Sequence, residues 1–116
     1  PPQYGRFYEG APQEDSSAGK SWFIRGQNFV LCYSEATSGA VLARAEQADE
    51  YAVILPDAAT RARIEAGGET RDIDGNTLVF VPPGPSRITM LTPGRIVRLV
   101  TSKAQDMVAQ CPNASA

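Results

Sequence analysis

The sequence predicts an all-β fold, a sandwich or barrel of short strands that is followed by one short helix. Apolar or β-branched runs recur along the chain, and clusters of turn-forming Gly, Pro, Asn and Asp separate them about every 8 to 12 residues. The length of 116 residues is enough for one domain with one hydrophobic core. A single β-rich domain is therefore expected.

Three regions are predicted along the chain. Residues 1–18 are rich in Pro, Gly, Ser and acidic residues and are predicted to form an N-terminal arm, which Tyr4, Phe7 and Tyr8 could dock on the barrel or on a partner. Residues 19–103 are predicted to form the barrel, and residues 104–116 a short helix and tail, with Pro112 ending the helix. Strands are predicted near residues 20–25, 28–35, 39–46, 49–55, 59–66, 69–74, 77–82, 86–91 and 94–101.

Charge alone predicts the register of one hairpin. A two-residue turn at Gly67 and Gly68 would place residues equidistant from it opposite each other. Arg63 would then face Asp72, and the next outward pair would again join an arginine to an aspartate. The favoured interpretation is a solvated face with cross-strand ion pairs, and a binding patch is the alternative.

The strand after this hairpin is predicted to be covered on both faces, because Thr77–Val81 shows no alternation of polar and apolar residues. It follows a turn at residues 74–76, where Gly and Asn tolerate a positive φ. It ends at residues 82–85, PPGP, which cannot form a regular ladder and must bend.

Composition excludes several classes of function. Apolar residues make up 42% and charged residues 21%, and the net charge is −2. The basic residues are scattered, so no nucleic acid partner is predicted. No apolar run approaches the roughly 20 residues that cross a bilayer, so no membrane association is predicted. Cys32 and Cys111 are too few for a disulfide framework, which favours a cytoplasmic protein with two thiols over one with a disulfide.

Two stretches resemble the sequence signatures of the cupin superfamily. Residues 76–87, NTLVFVPPGPSR, are similar to its second signature, P-x-G-x-x-H, with Arg87 at the histidine position. Residues 44–55, RAEQADEYAVIL, are similar to the first signature, in which two histidines and a glutamate precede an apolar strand. The resemblance covers about residues 39–101. It implies a cupin-like double-stranded β-helix, a jelly-roll barrel, over residues 19–103.

The resemblance also implies that the metal site of the family is lost. In metal-binding cupins three histidines and a glutamate converge on one ion. The matching positions here hold Arg44, Glu46, Glu50 and Arg87. Arginine has no lone pair to donate, so no metal or other cofactor is predicted.

Two arrangements of these residues remain open. In the first, Arg44 and Arg87 bind the carboxylate or phosphate of a small anionic ligand in the barrel mouth. Its apolar walls would then be Trp22, Tyr33 and Tyr51. In the second, an arginine replaces the charge of the missing ion by pairing with a glutamate, and the barrel is closed by a salt bridge.

The predicted function is binding of a small anion, or assembly, by a metal-free cupin-like domain. The alternative is an isomerase or lyase in which Glu46 and Glu50 act as acid and base and Arg87 anchors the anion. The resemblance also implies a homodimer, since cupins commonly pair. The predicted contact lies in residues 20–35, and packing in the core of the monomer is the alternative for its apolar residues Trp22, Phe23, Phe29, Val30 and Leu31.

Overall fold

The computed structural model describes residues 12–111 as ten strands and one helix. The elements are β1 (Glu14–Ser16), β2 (Gly19–Arg25), β3 (Phe29–Ala36), β4 (Val41–Arg44), β5 (Tyr51–Leu55), β6 (Arg61–Ala66), β7 (Glu69–Asp74), β8 (Thr77–Val81), β9 (Ser86–Met90), β10 (Gly94–Thr101) and α1 (Gln105–Gln110). All nine predicted strands and the helix are confirmed. β1 was not predicted, because its sequence EDS carries no apolar residue. Most of the predicted arm, with Tyr4, Phe7 and Tyr8, lies outside the described residues.

The strands form two antiparallel sheets that face each other. The larger sheet has the order β1-β2-β3-β10-β5-β8 and the smaller one the order β4-β9-β6-β7. Inward side chains from both sheets form one core, whose fully buried members include Tyr51, Leu55, Ile88, Met90 and Ile96. This arrangement confirms the predicted jelly roll. In the described part of the chain, no helix has the length and apolar character that a bilayer crossing needs.

The hairpin register predicted from charge is confirmed. Gly67 and Gly68 adopt φ values of 59° and 78° and form the turn between β6 and β7. Arg63 lies opposite Asp72, and its Nε donates a 2.8 Å hydrogen bond to Oδ1 of that residue. An exposed pair of this kind contributes little stability. It does show that the outer face of the smaller sheet is turned to water.

The outer face of the larger sheet is different, and one prediction about it is wrong. Within β8, Val79 and Val81 point inward, while Leu78 and Phe80 point outward and are 56% and 64% exposed. The strand was predicted to be covered on both faces. Because β8 is an edge strand of the larger sheet, the described chain covers only its inner face.

The apolar residues of the predicted dimer contact divide between the core and the outer face of the larger sheet. Phe23 and Val30 belong to the core and are 2% and 0% exposed, which fits the alternative of packing within the monomer. Phe29 lies on the outer face of the larger sheet and is 41% exposed. Strand alternation, with a period of two residues, separates these side chains.

Candidate functional site

At the second signature the structure turns Ser86, and not Arg87, into the barrel. Ser86 lies directly opposite Arg44 on the neighbouring strand, and both are buried. Its hydroxyl is 2.7 Å from the hydroxyl of Tyr51, which is also buried. Arg87 comes one residue later in β9 and therefore points outward, where it is exposed. The prediction that Arg87 lies in the barrel mouth is thus corrected.

The two glutamates of the first signature also lie outside the barrel. β4 ends at Arg44, so the alternation that would bring Glu46 to the same face does not continue. Glu46 and Glu50 are both exposed. Gln47 is buried in their place, and its Oε1 accepts a 2.8 Å hydrogen bond from Nε of Arg44. Arg44 therefore has partners other than the carboxylates predicted for it.

The predicted aromatic walls are divided between the two faces of the larger sheet. Trp22 and Tyr33 alternate with core residues and so lie on its outer face, where their ring centroids are 5.5 Å apart. The Tyr33 hydroxyl donates to Oε2 of Glu35. Burial, and then the Glu35 carboxylate, raise the pKa of Tyr33. Of the three aromatic residues predicted to line the barrel mouth, only Tyr51 points into the barrel.

Arg44 joins the barrel to the C-terminal helix. Both terminal nitrogens of its guanidinium donate to the carboxylate of Asp106 on α1, and the NH2–Oδ1 distance is 2.9 Å. Arg44 is 8% exposed, whereas the side chain of Asp106 is 68% exposed. The hydrogen bonds from Arg44 lower the pKa of Asp106. The sequence did not predict Asp106 as the partner of Arg44, because α1 lies far from β4 in sequence.

The lowered pKa predicts an acid-dependent loss of stability. A carboxylate whose pKa is lower in the folded chain stabilises the fold above its unfolded pKa, and this contribution disappears as the pH falls through the folded pKa. Asp106→Asn should therefore lower the melting temperature slightly at pH 7, and its difference from wild type should shrink as the pH falls below about 3.9, the unfolded pKa of Asp, and the wild-type carboxylate becomes protonated. The effect is small because Asp106 is mostly exposed. Thermal unfolding of wild type and Asp106→Asn between pH 2 and pH 7 measures this contribution. A difference in melting temperature that does not change with pH would contradict the stabilising ion pair between Arg44 and Asp106.

A second buried arginine, Arg98, was not predicted as a site residue. It lies in β10 on the inward face and is 4% exposed. Its NH2 donates to the Cys32 thiol at 3.1 Å, and its Nε is buried without a hydrogen-bond partner. Among residues 12–111, no carboxylate forms an ion pair with it. The sequence does indicate that Arg98 points inward. It lies two residues from Ile96 and two from Val100, so it faces the same side of β10 as these two core residues.

Both buried arginines line one cavity, which lies against α1. The cavity has a volume of about 260 Å³. Phe23, Leu42 and Met107 provide apolar walls, and Asp106 and the exposed Glu14 add carboxylates. Buried guanidinium groups beside apolar side chains form a site suited to a small molecule with a carboxylate or phosphate group.

Both cysteines are free and buried. Cys32 is fully buried and accepts the hydrogen bond from Arg98, so its role is polar as well as apolar. Burial raises the pKa of the Cys111 thiol, whose Sγ lies 3.5 Å from the carbonyl oxygen of Met107.

Solved structures match this fold although the sequence is distant from them. No protein-family model matches the sequence, and no curated protein matches it. KdgF from Halomonas sp. superposes with a TM-score of 0.69 at 14% identity, over 86% of this chain and 93% of that one. An RmlC-like cupin from Shewanella frigidimarina gives 0.69 at 12% identity, over 85% and 89% of the two chains. The chain has the cupin fold.

Solved structures of differently named proteins share this fold. The EutQ protein of Clostridium difficile superposes with a TM-score of 0.56 at 10% identity, over 71% of this chain and 66% of that one. At such identities the likeness concerns the fold alone. What this protein binds must therefore be argued from its own side chains.

The barrel interior of this cupin-fold chain does not fit a metal ion. Of the four positions matched to the family's ligands, only Arg44 points into the barrel, and a guanidinium cannot donate a lone pair. Within residues 12–111, no three His, Cys, Asp or Glu side chains converge as metal ligands would. A second guanidinium, from Arg98, adds positive charge to the same cavity.

Proposed function

We propose that this cupin binds a small organic acid or another oxyanion in the cavity beside α1, with Arg98 as the main anion-binding residue. The observation that carries this proposal is a guanidinium that is 4% exposed, has a thiol as its hydrogen-bond partner and keeps one N–H unsatisfied. Burying a cation without a counter-charge costs free energy. A bound carboxylate or phosphate would remove this cost by accepting hydrogen bonds from the guanidinium.

Arg44 supplies the second anion-binding group, and Asp106 acts as its competitor. The Asp106 carboxylate occupies the guanidinium in the way that a ligand carboxylate would, and its side chain is 68% exposed. Replacing it with a ligand therefore exchanges one partly solvated carboxylate for another. The binding free energy then comes mainly from Arg98 and from the apolar walls.

The same ion pair lies where the cavity meets a neighbouring groove. Arg44 and Asp106 line the cavity and also this larger groove of about 550 Å³, which Glu46 and Lys103 line too. The cavity volume of about 260 Å³ lies below the roughly 300 to 1,000 Å³ of pockets for drug-sized ligands, so a small acid is expected.

Binding is favoured over the alternative of acid–base catalysis. That alternative needs Glu46, Glu50 and Arg87 to converge on one substrate. All three are exposed, and Arg87 lies on the outer face of the smaller sheet. The residues that do converge, Arg44 and Arg98, are cations.

Calorimetric titration and thermal unfolding with acetate, malonate, citrate and inorganic phosphate test the proposal. At least one of these anions should bind saturably and raise the melting temperature, since a ligand at 100 times its Kd stabilises by about 2.7 kcal/mol. Arg98→Met should abolish this response. Arg63→Met is the matched control, because it removes an exposed arginine and so reports general effects of anions.

Three results would contradict the proposal. One is a wild-type protein that shows neither saturable binding nor a raised melting temperature with any of these anions. Another is an Arg98→Met variant that binds the anion as tightly as wild type does. A response lost equally in Arg63→Met would likewise indicate a general charge effect and not a site.

A further inference from the structure

A second, smaller hollow adjoins the cavity that Arg98 lines. It has a volume of about 170 Å³ and lies between β4 and the paired strands β1, β2 and β3. Three residues line both spaces, namely Glu14, Val41 and Leu42. The two spaces are therefore neighbours along β4.

Two buried serines form the polar wall of this hollow. Ser21 in β2 lies directly opposite Ser34 in β3, and they are 6% and 2% exposed. Their Oγ atoms are 2.7 Å apart. The Oγ of Ser34 also lies 3.7 Å from the Sγ of Cys32, which accepts the hydrogen bond from Arg98. A chain of polar contacts thus connects Arg98 to Ser21 through the interior.

The serine pair keeps the capacity for a further hydrogen bond. A hydroxyl group can donate one hydrogen bond and accept two. Within residues 12–111, the Ser21 hydroxyl has Ser34 as its one side-chain partner, and Ser34 adds only the long contact to the thiol. Buried polar groups usually have their hydrogen bonds satisfied. A ligand group that both donates and accepts would complete the bonding of this pair.

The charged side chains of the hollow restrict what that ligand group can be. Glu14, Lys20 and Glu35 line the hollow and are exposed. The two carboxylates would repel a second carboxylate of the ligand, and the ammonium group of Lys20 would repel an ammonium group. An ammonium group would also lose its hydration beside two neutral hydroxyls, at a cost in free energy. A neutral hydroxyl group on the ligand meets none of these penalties.

We propose that Ser21 and Ser34 select the ligand: an acid whose carboxylate binds Arg98 and whose chain carries a hydroxyl group remote from that carboxylate. This inference rests on the proposed function, because Arg98 must hold the carboxylate. Phe23, Cys32 and Arg98 form one inward row across the larger sheet. The serines belong to the next inward row, which is two residues or about 7 Å further along the strands. A hydroxyl on carbon 2 stays beside the guanidinium, whereas a hydroxyl on carbon 4 reaches toward the serines.

Titration with four-carbon acids tests this selection. Butyrate, 2-hydroxybutyrate and 4-hydroxybutyrate carry the same charge and differ in the presence and position of one hydroxyl, so general effects of anions are the same for all three. Wild type should bind 4-hydroxybutyrate about tenfold more tightly than either of the other two, which is the gain expected from one hydrogen bond.

The ratio of the dissociation constants for butyrate and 4-hydroxybutyrate identifies the residues responsible. Ser21→Ala and Ser34→Ala should each reduce this ratio to about one, because the remaining hydroxyl loses its partner and its position. A general loss of binding cancels in the ratio, since both acids meet the same protein. Ser86→Ala is the matched control and should keep the preference of wild type. It removes the same atom from another buried serine, which pairs with Tyr51 and lines neither space.

Four outcomes would overturn the inference. The first is 4-hydroxybutyrate that binds wild type no more tightly than butyrate or 2-hydroxybutyrate does. The second is a preference that survives in both serine variants. The third is tighter binding of 4-aminobutyrate than of 4-hydroxybutyrate, which would assign an ammonium group to the hollow. The fourth is wild type that binds citrate or phosphate but none of the four-carbon acids.

These outcomes leave anion binding by Arg98 intact. Failure of the proposed function has a different result, because wild type would then bind none of the four-carbon acids and none of the other anions.

Discussion

Arg98→Met should raise the melting temperature of the ligand-free protein, although it replaces a buried side chain. Arg98 is 4% exposed, has a thiol as its partner and leaves its Nε unsatisfied. Replacing buried charge with an apolar side chain of similar size often stabilises by 1 to 4 kcal/mol. We expect a gain of about 1 to 3 kcal/mol, which is roughly 4 to 12 °C for a domain of this size.

The order of stabilities should reverse when the anion is added. Wild type gains stability with ligand concentration, and Arg98→Met does not. Denaturant unfolding at several anion concentrations measures both effects. Such a crossing would show that this residue is kept for binding at a cost in stability.

Arg44→Met is the informative comparison for this variant. Arg44 has good partners in Gln47 and Asp106, so its loss should lower stability in the absence of any ligand. Opposite signs for the two arginines would separate a satisfied buried charge from an unsatisfied one. If Arg98→Met is destabilised as much as Arg44→Met, the charge of Arg98 is already compensated within the protein.

Gly75→Ala should destabilise the fold by about 2 to 3 kcal/mol through overpacking, with a fall in the melting temperature of roughly 10 °C. A Cβ at this position would lie 1.9 Å from the carbonyl oxygen of Asp57 and 2.6 Å from the backbone of Ala58. Backbone atoms cannot rotate away as a side chain can. The next residue, Asn76, donates its N–H to Leu55 at 2.7 Å, which holds the turn against the end of β5. The substitution must therefore displace the turn that leads into β8.

Gly39→Ala provides the matched control for this variant. Gly39 has a φ of 83°, and a Cβ there would meet nothing within 4 Å. Its substitution should cost only about 1 kcal/mol, from the left-handed backbone conformation. Chemical denaturation of both variants measures the difference. Equal losses would show that the turn at Gly75 yields to the added methyl group at little cost.

The fold could be predicted because its signals are local. Strand periodicity and turn residues predicted nine strands, and opposite charges predicted the pairing of Arg63 with Asp72. The exposure of Leu78 and Phe80 could not be predicted in this way. It depends on β8 being at the edge of a sheet, and the order of strands in a sheet is set by contacts distant in sequence.

The candidate site was predicted in part, and the error has a simple physical cause. A signature is matched by counting residues from the P-x-G bend, and this count assigned Arg87 to the interior. Alternate residues of a strand face the same side of the sheet, so Ser86 points inward with the core residues Ile88 and Met90, and Arg87 points outward. The same rule applied to β10 would have identified Arg98, which lies between Ile96 and Val100. The partnership of Arg44 with Asp106 had no local signal.

The position of the last strand has a consequence for biosynthesis. β10 lies between β3 and β5, so the larger sheet is divided until β10 arrives. Residues 41–90, in contrast, contain every strand of the smaller sheet. All strands of the smaller sheet are therefore available for pairing before β10 is synthesised, whereas the residue that we assign to anion binding takes its place only when β10 inserts.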